Sequence, residues 1–188
     1  MEKIKTNDII KNRYVTVKRN EVELLDGSII SNCYTVTIPD AVAVVAINNN
    51  NKVLLKTEYR FSQKCDLIEL PAGLFEAYET QKIKEGANAE DVARVVAKRE
   101  LKEETGYESS NWTYLGSNVE SSSKLTGTMH LFLAIECQKT SAQHLDDNEQ
   151  IEVSEEELYE AVNMVMDGRI RCNSSAHAIL MAARLLNL

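Results

Sequence analysis

Residues 88–106 form a segment whose apolar stripe runs directly into acid. Asn88 is a favourable N-cap, Asp91 follows three positions on, and Gly106 suits a left-handed C-cap, so the spacing predicts a helix between them. Successive helical residues turn by about 100°. Val92, Ala93, Val96 and Ala97 then share one face, and Glu100 falls at its centre. Glu104 lies roughly 40° to one side and Glu103 roughly 60° to the other. Arg94, Lys98 and Lys102 take the opposite side. A solvated helix surface would mix its glutamates with those cations. Carboxylates that prolong a core-facing stripe are costly to desolvate unless a cation meets them. Glu100 cannot use an i,i+4 lysine, because its i+4 neighbour is Glu104. A divalent metal resolves the conflict, and oxygen ligands favour Mg²⁺ or Mn²⁺ over zinc. Local neutralisation by Arg99 is the competing explanation.

The rest of the chain frames this helix. Between the apolar runs 41–47 and 53–57, four consecutive asparagines at 48–51 read as a turn joining two strands. Residues 14–17, 21–25 and 33–38 alternate like short strands, with Asp26-Gly27 as a hairpin turn before the last. They predict a small antiparallel β unit over residues 1–40, with the main domain at 41–188. Strands are expected at 112–115 and 129–136, and helices at 154–167 and 174–186. The first of these helices is read from a capping box at Ser154 and Glu157, with Gly168 as its C-cap. Strands and helices mixed without regular βαβ alternation give an α+β or layered α/β/α architecture.

Bulk properties remove several function classes. With 29 acidic against 21 basic residues and a net charge of −8, the chain offers no broad footprint for a nucleic-acid backbone. No run approaches the roughly 18 apolar residues of a membrane helix, and the charged first residues have no signal-peptide core. Cys33, Cys65, Cys137 and Cys172 are scattered without a CxxC pair and read as reduced, buried thiols of a cytoplasmic protein. His130, inside an apolar run, reads as a core residue, and Trp112 likewise.

Arg99-Glu100-Leu101-x-Glu103-Glu104-x-Gly106-Tyr107 resembles the second half of the Nudix box, G-x5-E-x7-R-E-u-x-E-E-x-G-u, with u a bulky apolar residue. Glu69-Leu-Pro-Ala-Gly73 is similar to the segment that opens the box in the ADP-ribose and ADP-sugar pyrophosphatase branch, and Gly73-x5-Glu79 matches the first half. Glu58-Tyr-Arg60 resembles that branch's QYR motif. The chain departs from the pattern twice. Nineteen residues, 80 to 98, separate Glu79 from Arg99 in place of the pattern's seven, while strict spacing selects Asp91. The reading adopted is a lengthened loop and helix start around residues 80–90, with Glu79 in the loop position and Asp91 at the helix cap. In addition, Ser121-Ser-Ser123 and Thr126-Gly-Thr128 stand where the branch usually carries SPG and then an acidic residue just before the strand that holds 130–134.

The resemblance implies a Nudix fold, an α/β/α sandwich with a mixed sheet, plus the N-terminal β segment as an exchanging element of a homodimer. It also implies Mg²⁺-dependent hydrolysis of a nucleotide-sugar diphosphate. On this pattern Glu100, Glu103, Glu104 and the Ala72 carbonyl, on a tight turn, are metal ligands, and Arg99 orients Glu103. Arg60, Glu69 and Gly73 meet the substrate, with Arg60 as a phosphate clamp. Glu149, in the acidic stretch 146–149, is the expected general base. Tyr14 and Tyr34 are equal candidates for stacking on adenine. Hydrolysis of another nucleoside diphosphate sugar or dinucleotide, and ligand sensing without cleavage, are the alternatives.

Overall fold

The computed structural model describes residues 2–12 and 14–188. Three strands, β1 (Glu2–Lys11), β2 (Thr16–Glu23) and β3 (Ile29–Thr37), form a separate antiparallel sheet in that order. The larger mixed sheet comprises β4 (Ala41–Asn48), β5 (Lys52–Arg60), β6 (Cys65–Glu69), β7 (Ala72–Leu74), β8 (Tyr107–Glu108), β9 (Asn111–Val119), β10 (Thr128–Lys139) and β11 (Ile151–Glu157). Four helices complete the chain: α1 (Ala77–Lys84), α2 (Ala89–Thr105), α3 (Leu158–Met166) and α4 (Asn173–Leu185).

β4 is buried along its whole length, as a strand covered on both faces must be. Its side chains alternate between two cores. Val42, Val44 and Ala46 join Leu54, Phe132, Ala134 and the apolar stripe of α2. Ala43, Val45 and Ile47 join Leu131, Leu133 and the residues of α3 and α4. The sheet thus lies between helical layers, which makes the molecule an α/β/α sandwich with an added three-stranded sheet. The β4–β10 pair is parallel and the other ladders are antiparallel, so the main sheet is mixed.

Local turn chemistry forms as the residue types demand. Asn48 Oδ1 accepts the Asn50 and Lys52 N–H groups at 2.9 and 3.0 Å, and Asn51 adopts φ 60°. Asp26 closes the β2–β3 turn by accepting the Ser28 N–H at 3.0 Å. Asn88 caps α2 by accepting from Glu90 N and Asp91 N, and Gly106 ends it at φ 76°. His130 is buried, stacks on Phe75 and bonds Tyr114 Oη through Nδ1 at 3.0 Å. Trp112 packs edge-on against Phe132 at 6.1 Å.

Several expectations are corrected. Residues 151–157 are strand β11, paired with β5 from Ile151↔Glu58 to Glu157↔Lys52, and the helix begins only at Leu158. A ladder along β5 satisfies more backbone groups than one helical turn opened by Ser154 could, so tertiary pairing overrides the capping signal. The segments 14–17 and 21–25 overlap one continuous strand, β2, and the charged opening residues form β1 against it. Helix α1 occupies part of the stretch expected as a loop, and Glu79 lies on it. Ala72 lies in β7, paired with Ala43, and not on a tight turn. Of the four free thiols only Cys137 is buried. No helix among the described residues is long and apolar enough to cross a membrane.

Candidate active site

The site forms where α2 docks on β5 and β7. In α2 the predicted stripe is buried, and burial continues through Glu100 and Glu104 to Thr105. Asp91 is exposed at the far end of the helix, 20 Å or so away by the helical rise of about 1.5 Å per residue. Of the two candidates for the box glutamate, Glu79 is the one that stands beside Arg99. It is 1% exposed, caps Glu76 N at 2.8 Å, and lies 3.4 Å from Arg99 Nη2.

Arg99 gathers the acid on one flank. Its Nη1 approaches Glu100 Oε1 at 2.8 Å and Glu103 Oε2 at 3.0 Å. Burial opposes the charge of Arg99, but Glu100, Glu103 and Glu79 more than offset it and raise its pKa. On the other flank stands a residue the sequence reading passed over. Lys56, 1% exposed, bonds Glu104 Oε1 and lies 3.2 Å from Glu58 Oε2 and 3.4 Å from the Ala72 carbonyl. The second oxygen of Glu104 accepts the Ala72 N–H at 2.9 Å. Lys56 sits two residues after Leu54 on a half-apolar strand, so it shares that residue's face toward α2. That parity was the available signal.

The two central carboxylates are held at a high proton affinity. Burial pushes Glu100 up to about 7 against the pull of Arg99, with Glu104 and Glu103 adding repulsion. Burial also pushes Glu104 up to about 7, against Lys56 and the Ala72 N–H, and the charge of Glu149 adds to the rise. The loop carrying Glu149 is tied to the end of α2: Gln143 Nε2 donates to Glu104 O at 2.7 Å and His144 N to Glu103 O at 2.8 Å. Glu149 itself closes the loop by accepting the Asp146 N–H at 3.1 Å.

The remaining expected residues line one edge. Glu58 and Arg60 follow Lys56 at alternate positions of β5. Arg60 donates from Nε to Glu69 Oε2 at 2.8 Å, also pairs with that oxygen through Nη2, and meets Glu58 at 2.9 Å. Its fork therefore faces two carboxylates. A cleft of about 480 Å³ beside Arg60 and Glu69 extends to Arg171 and the start of α4. Gly73 lies against Glu100. Tyr34 is exposed on β3, and Tyr14 is exposed in the connection between β1 and β2.

A divalent ion is tested by the donors available. Glu100, Glu103, Glu104 and the Ala72 carbonyl supply only hard oxygen, which suits such an ion. As packed, no three acidic, histidine or cysteine side chains among the described residues enclose a common point. Arg99 and Lys56 hold them apart. The residues fit the ion in chemistry, and in this arrangement two internal cations share the neutralisation.

The profile of the NUDIX domain matches residues 37–169. The chain is 34% identical to the methanol dehydrogenase activator of Bacillus methanolicus over 94% of its length and 89% of that protein's. It is 29% identical to the ADP-ribose pyrophosphatase of Bacillus subtilis (strain 168), with the same coverage. The crystal structure of an ADP compounds hydrolase superposes with a TM-score of 0.78 over 99% of this chain and 94% of that one, at 19% identity, and so shares the fold. Family members generally use divalent metal ions. With the half-box side chains clustered between α2, β5 and β7, the chain belongs to the Nudix family and is a Nudix hydrolase.

Proposed function

We propose that the chain hydrolyses the diphosphate bond of ADP-ribose or a related ADP-sugar, with Mg²⁺ as the physiological ion and Mn²⁺ as a substitute, releasing AMP and a sugar phosphate. The observation that carries this reading is the cluster of Glu100, Glu103, Glu104 and Arg99 around the backbone of Ala72 and Gly73. Likeness to an ADP-ribose pyrophosphatase over nearly the whole chain supports the substrate class. Glu100, Glu103, Glu104 and the Ala72 carbonyl would hold the metal. When bound, the ion supplies Lewis-acid neutralisation of the diphosphate. Arg99 orients Glu103. Glu149, on its tethered loop, takes the proton of the attacking water. Arg60 and Glu69 line the substrate cleft, and release of one Arg60 contact would free its fork for a phosphate oxygen. The same reading includes a homodimer formed through the segment 1–40 and a cytoplasmic setting, the latter supported by four unpaired cysteines.

A second reading rests on the 34% identity to a methanol dehydrogenase activator: the chain acts on a partner enzyme, with nucleotide chemistry as its means. A panel of nucleotide sugars and dinucleotides, incubated with Mg²⁺ and again with chelator, tests the hydrolysis that both readings share. Mg²⁺-dependent release of AMP from ADP-sugars supports the proposal. Cleavage of other nucleoside diphosphates alone reassigns the substrate. Saturable binding without turnover removes hydrolysis of this class and leaves a ligand sensor.

A further inference from the structure

Among the described residues Lys56 is the only buried lysine or arginine. Its ammonium has three donor positions, and three acceptors surround it: Glu104 Oε1, Glu58 Oε2 at 3.2 Å and the Ala72 carbonyl at 3.4 Å. Two of these, Glu104 and Ala72, are oxygens that the proposed function offers to a divalent ion. We propose that Lys56 is a resident cation of the diphosphate site, which occupies the position between Glu104 and Ala72 and lowers by one the number of divalent ions the chain binds. The inference rests on the reading of this cluster as a divalent-ion site and narrows it, giving Glu104 Oε1 and the Ala72 carbonyl to Lys56 and leaving Glu100 and Glu103 to the metal.

Three observations carry it. First, Lys56 is held from every side: β5 pairs with β6 at Lys56↔Glu69 and with β11 at Val153↔Lys56, so the backbone beneath the side chain sits inside the sheet. Second, Glu104 is fully engaged without a metal, one oxygen on Lys56 and the other on the Ala72 N–H at 2.9 Å. That pairing docks α2 on β7 while no ion is needed between them. Third, no three acidic, histidine or cysteine side chains among the described residues close on one point. The carboxylates left to a metal are Glu100 and Glu103, whose counter-ion Arg99 is the more exposed of the two cations, at 23%. A fixed charge that fills a ligand position sets the number of ions by exclusion, since a divalent cation cannot share that position with an ammonium.

The test counts ions. Mn²⁺ is titrated into metal-free wild type, Lys56→Met and Lys56→Met/Glu104→Gln, and the bound ion is read from the loss of the free Mn²⁺ electron paramagnetic resonance signal. Lys56→Met is expected to bind one more Mn²⁺ per chain than wild type, and the double variant to lose that extra ion. Equal counts in wild type and Lys56→Met overturn the inference while leaving the metal site intact. No Mn²⁺ bound by either protein sinks the metal-site reading itself. Removing the ammonium leaves Glu104 buried without its partner, so folding is followed in parallel by circular dichroism. If Lys56→Met folds only with Mn²⁺ present, the ion has taken the place of the ammonium and the inference stands. If Mn²⁺ does not restore folding, it falls.

Discussion

A β-carbon built on Gly73 would lie 2.0 Å from the carboxyl carbon of Glu100 and 2.2 Å from its Oε1. The backbone of β7 and the carboxylate of α2 are therefore in direct contact, and glycine is present at 73 for space. Because Ala72, one residue earlier, donates to Glu104, two turns of one helix are registered against two consecutive residues of one strand.

Gly73→Ala should displace Glu100 while leaving both cores untouched. The atoms in the way are the end of a flexible side chain, so stability should change less than the reaction rate. A shift of about 1 Å in a catalytic group can cost on the order of 10²-fold in rate, and kcat/KM is expected to fall by that order. Steady-state kinetics beside a thermal melt measures both. Unchanged kcat/KM would show that the reaction does not use Glu100 where the structure holds it.

Stability should decline in acid partly through His130. Burial lowers its pKa from 6.5, and Asp40 and Glu90 only partly oppose that. Below 6.5 the unfolded chain takes up a proton at this residue that the folded chain resists. Stability at this site is therefore complete above that value and is lost as pH falls, at no more than about 1.4 kcal/mol per pH unit. His130→Phe keeps a ring against Phe75 and removes the proton site. Urea unfolding at about pH 8 and about pH 5.5 should show a smaller pH difference in the variant than in wild type. An identical difference would remove His130 as a source of acid sensitivity.

The three-stranded sheet supplies no residue to either apolar cluster among the described residues. Ile4, Ile9, Ile10, Ile29, Ile30 and Tyr34 are each more than a third exposed. Its polar centre is self-contained: buried Asn20 bonds Thr6, the Cys33 carbonyl and Thr35. So small a sheet with an uncovered apolar surface gains stability by meeting another surface. Sedimentation equilibrium should return twice the 21.1 kDa chain mass, and Ile10→Asp with Ile30→Asp should return the single-chain mass. A wild-type chain that stays monomeric at micromolar concentration would exclude the homodimer.

Much of the site was legible because it is encoded locally. The rotation of Glu100 and Glu104 into the buried stripe of α2 follows from helical periodicity within a few residues. The asparagine turn at 48–51 and the Asn88 and Gly106 caps follow from the same range of sequence. Arg99 was singled out, and it meets Glu100 and Glu103. The sequence alone determined which face of the helix was acidic and that some cation had to meet it.

Which cation meets Glu104 was decided only in three dimensions. Lys56 lies 48 residues away, and strand parity gives only the face it takes, not whether it snorkels to solvent or is sealed beneath a helix. Tertiary structure likewise brought Glu79, and not Asp91, to Arg99 by folding α1 back toward it. It also turned residues 154–157, the start of the expected helix, into part of a strand by offering the segment 151–157 the free edge of β5. Short-range patterns state what a segment can bury. The partner that completes its hydrogen bonds or neutralises its charge comes from distant chain, and packing alone selects it.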